Sequence, residues 1–471
     1  MGYSLPLLRS FASATHAKPN DLARFGVFTQ SVKAALLSTA RNLLPSSASI
    51  RVSAALLFST ALLASSAEPA PAPAADPITL GTADWPWWRG PYRNGVADAN
   101  QQPPLKWSEK ENILWKTPVP GRGHGSPIVV GDQVFLATAE APAGIQSLRC
   151  YDRLTGKEIW QTEVHRGLFP KGNDKSSFAS ATPACDGRRV FINFLHNGAV
   201  HTTALSRDGK QLWQTKITDY ILHQGFPTSP AIYQSLVIVS ADNKGTGKIA
   251  GLERATGKIV WQHERPKFPN YASPIILTVD GRDQLLLTGC ELVTSLDPLT
   301  GKVLWETKGS TTECVTSPVT DGQSFIISGG YPKNHVAAIR ADGSGKVVWE
   351  NSSRVYVPSM QFYQGHLYAV QDAGVAACWN FATGAELWKG RLGGGFSASP
   401  VLVGEHLYAV NEAGKTFIFK ATPAAFELIG ENQLGDEAMA TPTICGGRIY
   451  MRVASRKEGQ RQELLYCIGN K

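Results

Sequence analysis

The chain has few of the residue patterns that mark a metal, haem or redox centre. Its seven cysteines include no C-x-x-C, no C-x-x-C-H and no adjacent pair, and an odd number cannot be fully paired within one chain. Its ten histidines form no H-E-x-x-H motif and no His/Cys cluster. The sequence therefore predicts small buried thiols that pack the core, and no metal site.

Long basic runs are also missing. Residues 1–75 hold six basic and two acidic side chains, so half of the net charge of +8 lies there, and the other half is scattered over the rest of the chain. A protein that binds the phosphate backbone concentrates lysine and arginine in one run or on one face. Nucleic acid is therefore excluded as a predicted partner.

The chain lacks an apolar run of the roughly 20 residues that cross a bilayer. Residues 52–64, "VSAALLFSTALLA", are apolar over thirteen positions and lead into small residues, which is typical of a secretory signal. We predict a signal or targeting leader over residues 1–67 that ends near Ala67, no transmembrane span, and export to the periplasm or cell envelope. Two alternatives stay open: a transit peptide, and a true start further downstream.

Two short segments follow the leader. Residues 68–84 are rich in proline and alanine and predict a stiff, extended linker. Residues 85–111 predict an N-terminal strap that packs against the remainder of the chain through four tryptophans: Trp85, Trp87, Trp88 and Trp107. For the two arginines of this strap, Arg89 and Arg93, cation–π packing is the simplest expectation.

One hexapeptide, "TGKEIW" at residues 155–160, recurs in variant form every 39 to 53 residues. Its glycine suits the left-handed backbone of a short hairpin turn. Its tryptophan is predicted to fill the gap between neighbouring sheets, which gives the motif a structural role. The tryptophans at this position are Trp115, Trp160, Trp213, Trp261, Trp305, Trp349 and Trp388.

A second landmark, Ser-Pro or Thr-Pro, opens a pair of apolar runs in each repeat, with Pro358 of "VPSM" as the weak member. Together the two landmarks delimit four short strands per repeat, the size of one propeller blade. The last repeat lacks a fourth strand, and "NILWKTPV" at 112–119 is a fourth strand without a repeat. We therefore predict an all-β fold: an eight-bladed propeller of four-stranded antiparallel blades over residues 112–471. An N-terminal strand joins the last blade and closes the ring.

These repeats, together with "WPWWRGPYRNGVA" at 85–97, resemble the PQQ-like (quinoprotein alcohol dehydrogenase-like) β-propeller superfamily, and within it the non-enzymatic BamB-like branch. The resemblance covers residues 112–468. It implies a protein-binding or scaffolding module of the cell envelope. The enzymes of the superfamily show a vicinal disulfide, an aspartate base and Glu/Asn calcium ligands, and this chain has no Cys-Cys pair.

Residues just ahead of each first strand should converge at the mouth of the central channel. They are predicted to form an aromatic-rich, weakly charged funnel suited to a peptide strand, a protein loop or a sugar, although packing between blades explains many of them equally well. The candidates are His124, Phe178, Phe226, Tyr271, Glu313, Tyr356, Phe396 and Met439. A long connection at residues 165–178 is a second candidate for binding, or simply a solvated loop.

The sequence thus favours a monomeric, exported propeller that binds other envelope proteins or peptide segments, without a cofactor and without catalysis. Two alternatives remain at this stage. One is a PQQ-dependent quinoprotein oxidoreductase acting on alcohols or sugars and holding PQQ with calcium. The other is a glycan-binding propeller.

Overall fold

The structure, a computed structural model, describes residues 76–173 and 175–471. The predicted leader lies outside the described residues, as do residues 68–75 of the predicted linker. The rest forms eight separate four-stranded antiparallel sheets. The first strands of successive sheets contact one another, so they surround a central axis. The predicted eight-bladed propeller is confirmed.

Blades 1 to 4 follow the chain order of the strands, with the innermost strand first and the outermost last. Their bounds are: blade 1, β2 Ile128–Val130, β3 Gln133–Glu140, β4 Ile145–Asp152 and β5 Glu158–Arg166; blade 2, β6 Ala184–Cys185, β7 Arg189–His196, β8 Ala199–Ser206 and β9 Gln211–Asp219; blade 3, β10 Ala231–Tyr233, β11 Leu236–Ser240, β12 Gly247–Glu253 and β13 Ile259–Arg265; blade 4, β14 Ile275–Val279, β15 Arg282–Gly289, β16 Leu292–Leu296 and β17 Val303–Lys308.

Blades 5 to 7 repeat this order, and blade 8 is completed from the other end of the chain. Their bounds are: blade 5, β18 Val319–Thr320, β19 Ser324–Gly329, β20 His335–Arg340 and β21 Val347–Asn351; blade 6, β22 Gln361–Tyr363, β23 His366–Val370, β24 Val375–Asn380 and β25 Glu386–Arg391; blade 7, β26 Val401–Val403, β27 His406–Val410, β28 Lys415–Lys420 and β29 Leu428–Gln433; blade 8, β30 Thr443–Cys445, β31 Arg448–Lys457, β32 Gln460–Ile468 and β1 Ile113–Val119.

The ring closes through β1. This strand pairs antiparallel with β32, and Trp115 stands opposite Cys467. The early strand therefore supplies the fourth strand that the last repeat lacks, as predicted. This pairing also covers the edge of β32, which would otherwise have no partner strand on that side.

Inner strands are buried on both faces, because every blade is covered by a neighbour on each side. In β7 all six central residues are buried, whereas the outermost strand β9 alternates exposed and half-buried positions over most of its length. Burial on both faces explains why the inner strands appear in the sequence as continuous apolar runs. The cores lie between blades: residues of blades 4 and 5, for example, share one apolar cluster.

The repeated glycine and tryptophan meet across the gap between blades. Trp160 of blade 1 donates its indole N–H to the carbonyl oxygen of Arg207 in blade 2, at 2.8 Å. Gly209 of the same blade 2 turn has a φ of +88°, and a Cβ there would lie 2.7 Å from the Trp160 ring. The glycine therefore supplies both a left-handed backbone and room for the ring of the preceding blade. The same overlap with an indole occurs at Gly156, Gly257, Gly301 and Gly384.

The strap pairs with the innermost strands of blades 1 and 7. Trp85 exchanges backbone hydrogen bonds with Val129 of blade 1, and Leu402 of blade 7 exchanges them with Gly95 and Ala97. Arg93 packs over the Trp87 ring at 4.5 Å, as expected. The segment therefore spans the channel from blade 1 to blade 7 and covers one end of it.

The described part of the predicted linker, residues 76–84, also lies on the blades. Asp76 forms an ion pair with Arg189 of blade 2, and Thr79 donates its N–H to the carbonyl of Asp186 at 3.0 Å. Asp84 is buried and accepts a hydrogen bond from the Gly131 N–H at 2.8 Å. These nine residues continue the strap rather than separating it from the propeller.

Helical structure among the described residues is limited to a single 3-10 turn at Ala141–Ala143, so none of their helices has the length and apolar surface to cross a membrane. The seven cysteines are all buried and none is in a disulfide. Burial raises the pKa of the Cys185 thiol to about 12, which keeps it protonated and unreactive at neutral pH.

Candidate functional site

The candidate site is a cavity of about 770 Å³ at the end of the channel opposite the strap. All eight blades contribute to its wall. In each blade the residue two positions before the landmark hydroxyl lines the cavity: His124, Ser180, Pro227, Tyr271, Val315, Val357, Ser397 and Met439. This regularity follows from extended backbone, in which alternate side chains point to the same side.

Six of the eight predicted site residues line this cavity: His124, Phe226, Tyr271, Glu313, Tyr356 and Met439. The structure thus brings them together at one place, while their role in binding stays a prediction.

The other two predicted residues lie elsewhere. Phe396 is 2% exposed and packs against Phe417 inside the core between blades, with ring centroids 6.0 Å apart. Phe178 stacks on Phe169 at 4.4 Å and packs against the core that blades 1 and 2 share.

A ring of hydroxyl groups surrounds the channel just below the cavity mouth. We define the hydroxyl ring as one serine or threonine per blade: Ser126, Thr182, Ser229, Ser273, Ser317, Ser359, Ser399 and Thr441. The backbone N–H of one member donates to the hydroxyl of the next, for example Thr182 to Ser229 at 2.9 Å and Ser359 to Ser399 at 2.9 Å. Sequence reasoning noticed the recurring Ser/Thr-Pro pair without assigning the hydroxyl this linking role.

The ring also corrects the alignment of blade 6. There Ser359 is the member of the ring, because its hydroxyl accepts from the Ser317 N–H at 3.0 Å. Met360 therefore occupies the position that proline holds in the other blades, and Pro358, taken as the weak landmark in the sequence, precedes the ring.

The floor of the cavity is an indole from the strap. Trp88 lines the cavity and donates its N–H to the Ser317 hydroxyl at 2.9 Å. The sequence placed Trp88 in the strap without assigning it to the site. Trp88 and Ser317 are 229 positions apart in the chain, and nothing local in the sequence predicts their contact.

Part of the long connection between blades 1 and 2 lies over the cavity mouth. Lys175 of this loop forms an ion pair with Glu412 of blade 7, 3.0 Å between Nζ and Oε2. Asn173 donates to the Gln224 side chain at 2.6 Å, and both residues line the cavity. Leu168, earlier in the loop, is 93% exposed. The loop thus narrows the entrance through Asn173 and Lys175, and its Leu168 side chain is exposed to solvent.

Glu313 is the one carboxylate among the described residues that line the cavity. It is 5% exposed, and its Oε2 accepts a hydrogen bond from the Tyr356 hydroxyl at 3.1 Å. Burial raises the pKa of Tyr356 and Tyr271 above the usual range, and the nearby Glu313 charge raises both further. Burial lowers the pKa of His124 to about 3, so its imidazole is neutral at pH 7.

These donors do not fit a calcium–quinone pair. Calcium takes six to eight oxygen ligands, largely carboxylates and carbonyls. In the described part of the cavity wall the carboxylate oxygens come from Glu313 alone, and Tyr356 already donates to one of them. Across residues 76–173 and 175–471, no group of three or more His, Cys, Asp or Glu side chains is arranged to hold a metal ion.

Comparison with known proteins gives consistent matches. The family model described as outer membrane protein assembly factor BamB matches residues 144–341 and 332–422. The protein of that name from Burkholderia pseudomallei strain K96243 is 26% identical over 287 residues, 57% of this chain and 66% of that protein. The chain therefore spans just under two thirds of the length of that relative.

Two solved structures share the fold. BamB from Moraxella catarrhalis superposes with a TM-score of 0.54 at 15% identity, covering 75% of this chain and 96% of that chain. A europium-containing methanol dehydrogenase superposes with a TM-score of 0.61 at 12% identity, covering 83% and 98%. The fold is thus common to assembly factors and dehydrogenases, and the family model matches more than half of the chain. The chain belongs to the PQQ-like propeller family described as outer membrane protein assembly factor BamB.

Proposed function

We propose that this protein is an exported propeller that binds other proteins of the cell envelope through the face that carries the cavity, and acts there as a scaffold. Membership of a family described as assembly factors supports a binding role rather than catalysis. The relatives are described as outer membrane protein assembly factors, which supports the outer membrane as the proposed place of action.

One structural observation supports the cavity face as the surface that binds a partner. The strap covers one end of the channel, while loops from all eight blades converge on a cavity of about 770 Å³ at the other. A recess of this size accommodates a few side chains of a partner, in the range of ordinary ligand pockets. Two exposed apolar side chains lie on this face: Tyr331, which lines the cavity and is 55% exposed, and Leu168, which follows the outermost strand of blade 1 and is 93% exposed. A rigid recess with apolar groups at its rim is typical of a protein-binding surface.

The test is capture from envelope extract with tagged protein, comparing matched variants. Leu168→Asp combined with Tyr331→Asp places two charges on the cavity face and should reduce the captured partner at least tenfold. Leu154→Asp is the control, since Leu154 is 67% exposed in the turn at the opposite end of blade 1. Equal capture by all three proteins, or equal loss in both variants, would contradict the proposed face.

Glycan binding is a second candidate, favoured by the combination of the Trp88 indole and the hydroxyl ring. It is weakened by the use that the ring already makes of its hydroxyls, since six of the eight members accept a hydrogen bond from a neighbouring backbone N–H. A glycan array probed with the wild type and Trp88→Ala would separate the two candidates.

A further inference from the structure

Among the residues that the structure describes, the buried carboxylates are paired with arginine, with one exception. Asp242 lies 3.2 Å from the Arg265 guanidinium, and both side chains are almost fully buried. Asp186 pairs with Arg254, and Glu463 with Arg452, in the same way. A buried charge without such a partner is strongly unfavourable, which is why these pairs are complete.

Glu313 is the exception. Its side chain is 7% exposed, and the only histidine, lysine or arginine nitrogen within 4 Å, among the residues that the structure describes, belongs to His223. The distance from His223 Nε2 to Glu313 Oε1 is 3.5 Å. The Lys244 ammonium lies 3.2 Å from Nδ1 of the same ring. The Glu313 carboxylate therefore meets the Tyr356 hydroxyl and the His223 imidazole, and among the described residues no lysine or arginine nitrogen lies within 4 Å of it.

The cations nearest to the cavity mouth are held by other partners. Lys175 is paired with Glu412 at 3.0 Å. Arg354 is exposed, donates to the Asn334 side chain at 3.2 Å, and lies 5.6 Å from the Tyr356 ring centroid. Neither of them pairs with Glu313, so the carboxylate lies next to aromatic rings without a lysine or arginine counter-ion.

Aromatic rings around such a charge make a site for a cation. Trp88, Phe226, Tyr271 and Tyr356 all line the cavity with Glu313. A cation over an aromatic face gains about 0.5–2 kcal/mol, more when both are shielded from water. A lysine or arginine side chain also has an apolar stem that can pass such rings while its charged end reaches the carboxylate.

We propose that the cavity binds the side chain of a lysine or arginine from a partner polypeptide, with the Glu313 carboxylate as its counter-ion. The inference rests on the proposed protein-binding function and specifies its chemistry: the partner presents a basic residue on an extended segment or loop. A small free amine has the same cationic group and is distinguished in the test.

The test uses isothermal titration of the purified full-length protein with two blocked peptides, Ac-Gly-Ser-Lys-Ser-Gly-NH₂ and the same peptide with norleucine in place of lysine. The lysine peptide should bind at least tenfold more tightly than the norleucine peptide. Glu313→Gln should abolish this preference, while Glu264→Gln, at an exposed position of blade 3, should keep it. Equal binding of the two peptides, no binding of either, or a preference that survives Glu313→Gln would overturn the proposal. Binding of n-butylamine as tightly as the lysine peptide would overturn the assignment to a polypeptide.

Thermal melting gives a readout that does not depend on affinity. Because Glu313 is buried without a lysine or arginine partner, Glu313→Gln should leave the melting temperature of the free protein unchanged or raise it. Asp242→Asn, which leaves Arg265 unpaired, should lower it. A drop for Glu313→Gln as large as that for Asp242→Asn would contradict the unpaired state of Glu313. If the wild-type protein shows no lysine preference but its capture of a partner depends on the cavity face, this inference alone is refuted. If the wild-type protein prefers the lysine peptide but capture does not depend on the cavity face, the proposed function alone is refuted.

Discussion

Glycine is needed at the hairpin turns for two reasons, a positive φ and room for a neighbouring tryptophan ring. Two glycines of blade 4 allow these reasons to be tested separately. Gly301 and Gly281 have φ values of +68° and +70°, so alanine meets the same backbone strain at both, about 1–2 kcal/mol. A Cβ at Gly301 would also overlap the Trp261 ring, whereas at Gly281 nothing lies within 4 Å. Gly301→Ala should therefore destabilise the protein by about 1–3 kcal/mol more than Gly281→Ala, measured by chemical denaturation. Equal losses would show that the glycine is needed only for its φ.

Trp261, whose ring lies against Gly301, should contribute more to the free energy of unfolding than the residues next to it in the sequence. Trp261 is 8% exposed and belongs to the core between blades 3 and 4. Trp261→Ala should cost about 3–5 kcal/mol of unfolding free energy as a large core truncation. Lys258→Ala, in the exposed turn three residues earlier, should stay within about 0.5 kcal/mol. Denaturant titration of both variants measures the difference, and similar values would mean that the indole is not a core residue.

At the residue scale the sequence predicted the cavity wall by position rather than by side-chain direction. His124, Tyr271 and Met439 were found because they lie just ahead of a first strand, where the chain reaches the cavity. Phe396 was misplaced because a large aromatic residue at such a place can pack in the core between blades as well as line a cavity. Trp88 could not have been placed, since its position depends on how the strap crosses the channel.

Among the strands, β5, β7 and β8 bring three histidines together at the root of the long loop. The rings of His165 and His196 stack with centroids 4.4 Å apart, and His201 lies 5.2 Å from His165. Burial lowers the pKa of His165 to about 3, and its two histidine neighbours lower it further. Burial also lowers the pKa of His201, and the positive charge of Lys216 lowers it further.

This cluster should make the protein less stable in mild acid. Between about pH 6.5 and pH 3 the unfolded chain binds a proton at His165 that the folded chain does not, so unfolding becomes easier as the pH falls. The loss should reach about 2 kcal/mol at pH 5 relative to pH 7.5. His165→Phe should flatten that part of the stability curve, measured by denaturation at several pH values. His366→Phe, at a half-buried histidine of blade 6, serves as the control. An unchanged pH slope in His165→Phe would contradict the burial of a neutral imidazole.

The closing strand supports a prediction at the same scale. A chain that begins at Gly121 lacks β1, so β32 keeps one unpaired edge. It should aggregate or lose its single cooperative melting transition, compared with a chain that begins at Asp76. Calorimetry and light scattering of the two proteins would show this. A shortened chain that melts like the longer one would argue against ring closure by β1.

Repeat counting in the sequence was enough to predict β1 as the missing strand, because an incomplete blade at one end matched a strand without a blade at the other. The strap is different. Arg89, for example, donates to the carbonyl of Met360, 271 positions away, and such contacts leave no periodic signal. The sequence therefore predicted the blades and their closure, whereas only the structure shows that the strap covers one end of the channel.

For the whole molecule, the absence of a quinone cofactor remains a prediction. The single carboxylate of the cavity wall supports it, because calcium would need several more oxygen ligands. Titration of the purified protein with PQQ and calcium should give no saturable change in absorbance or fluorescence at micromolar concentrations, and alcohols or aldose sugars should not reduce a redox dye. Calcium-dependent PQQ binding that is lost in Glu313→Ala and kept in Trp85→Ala would place the protein among the dehydrogenases.

Pairing of the first strand with the last has a consequence for synthesis on the ribosome. β1 and β32 are separated by about 350 residues, and chains grow at about 5–20 residues per second, so β1 waits about 20–70 s for its partner. During that interval the growing array of blades presents one unpaired strand and one uncovered apolar blade face. The nascent protein is therefore open to wrong pairing until its last nine-residue strand is made, and that late window is where a chaperone would protect it.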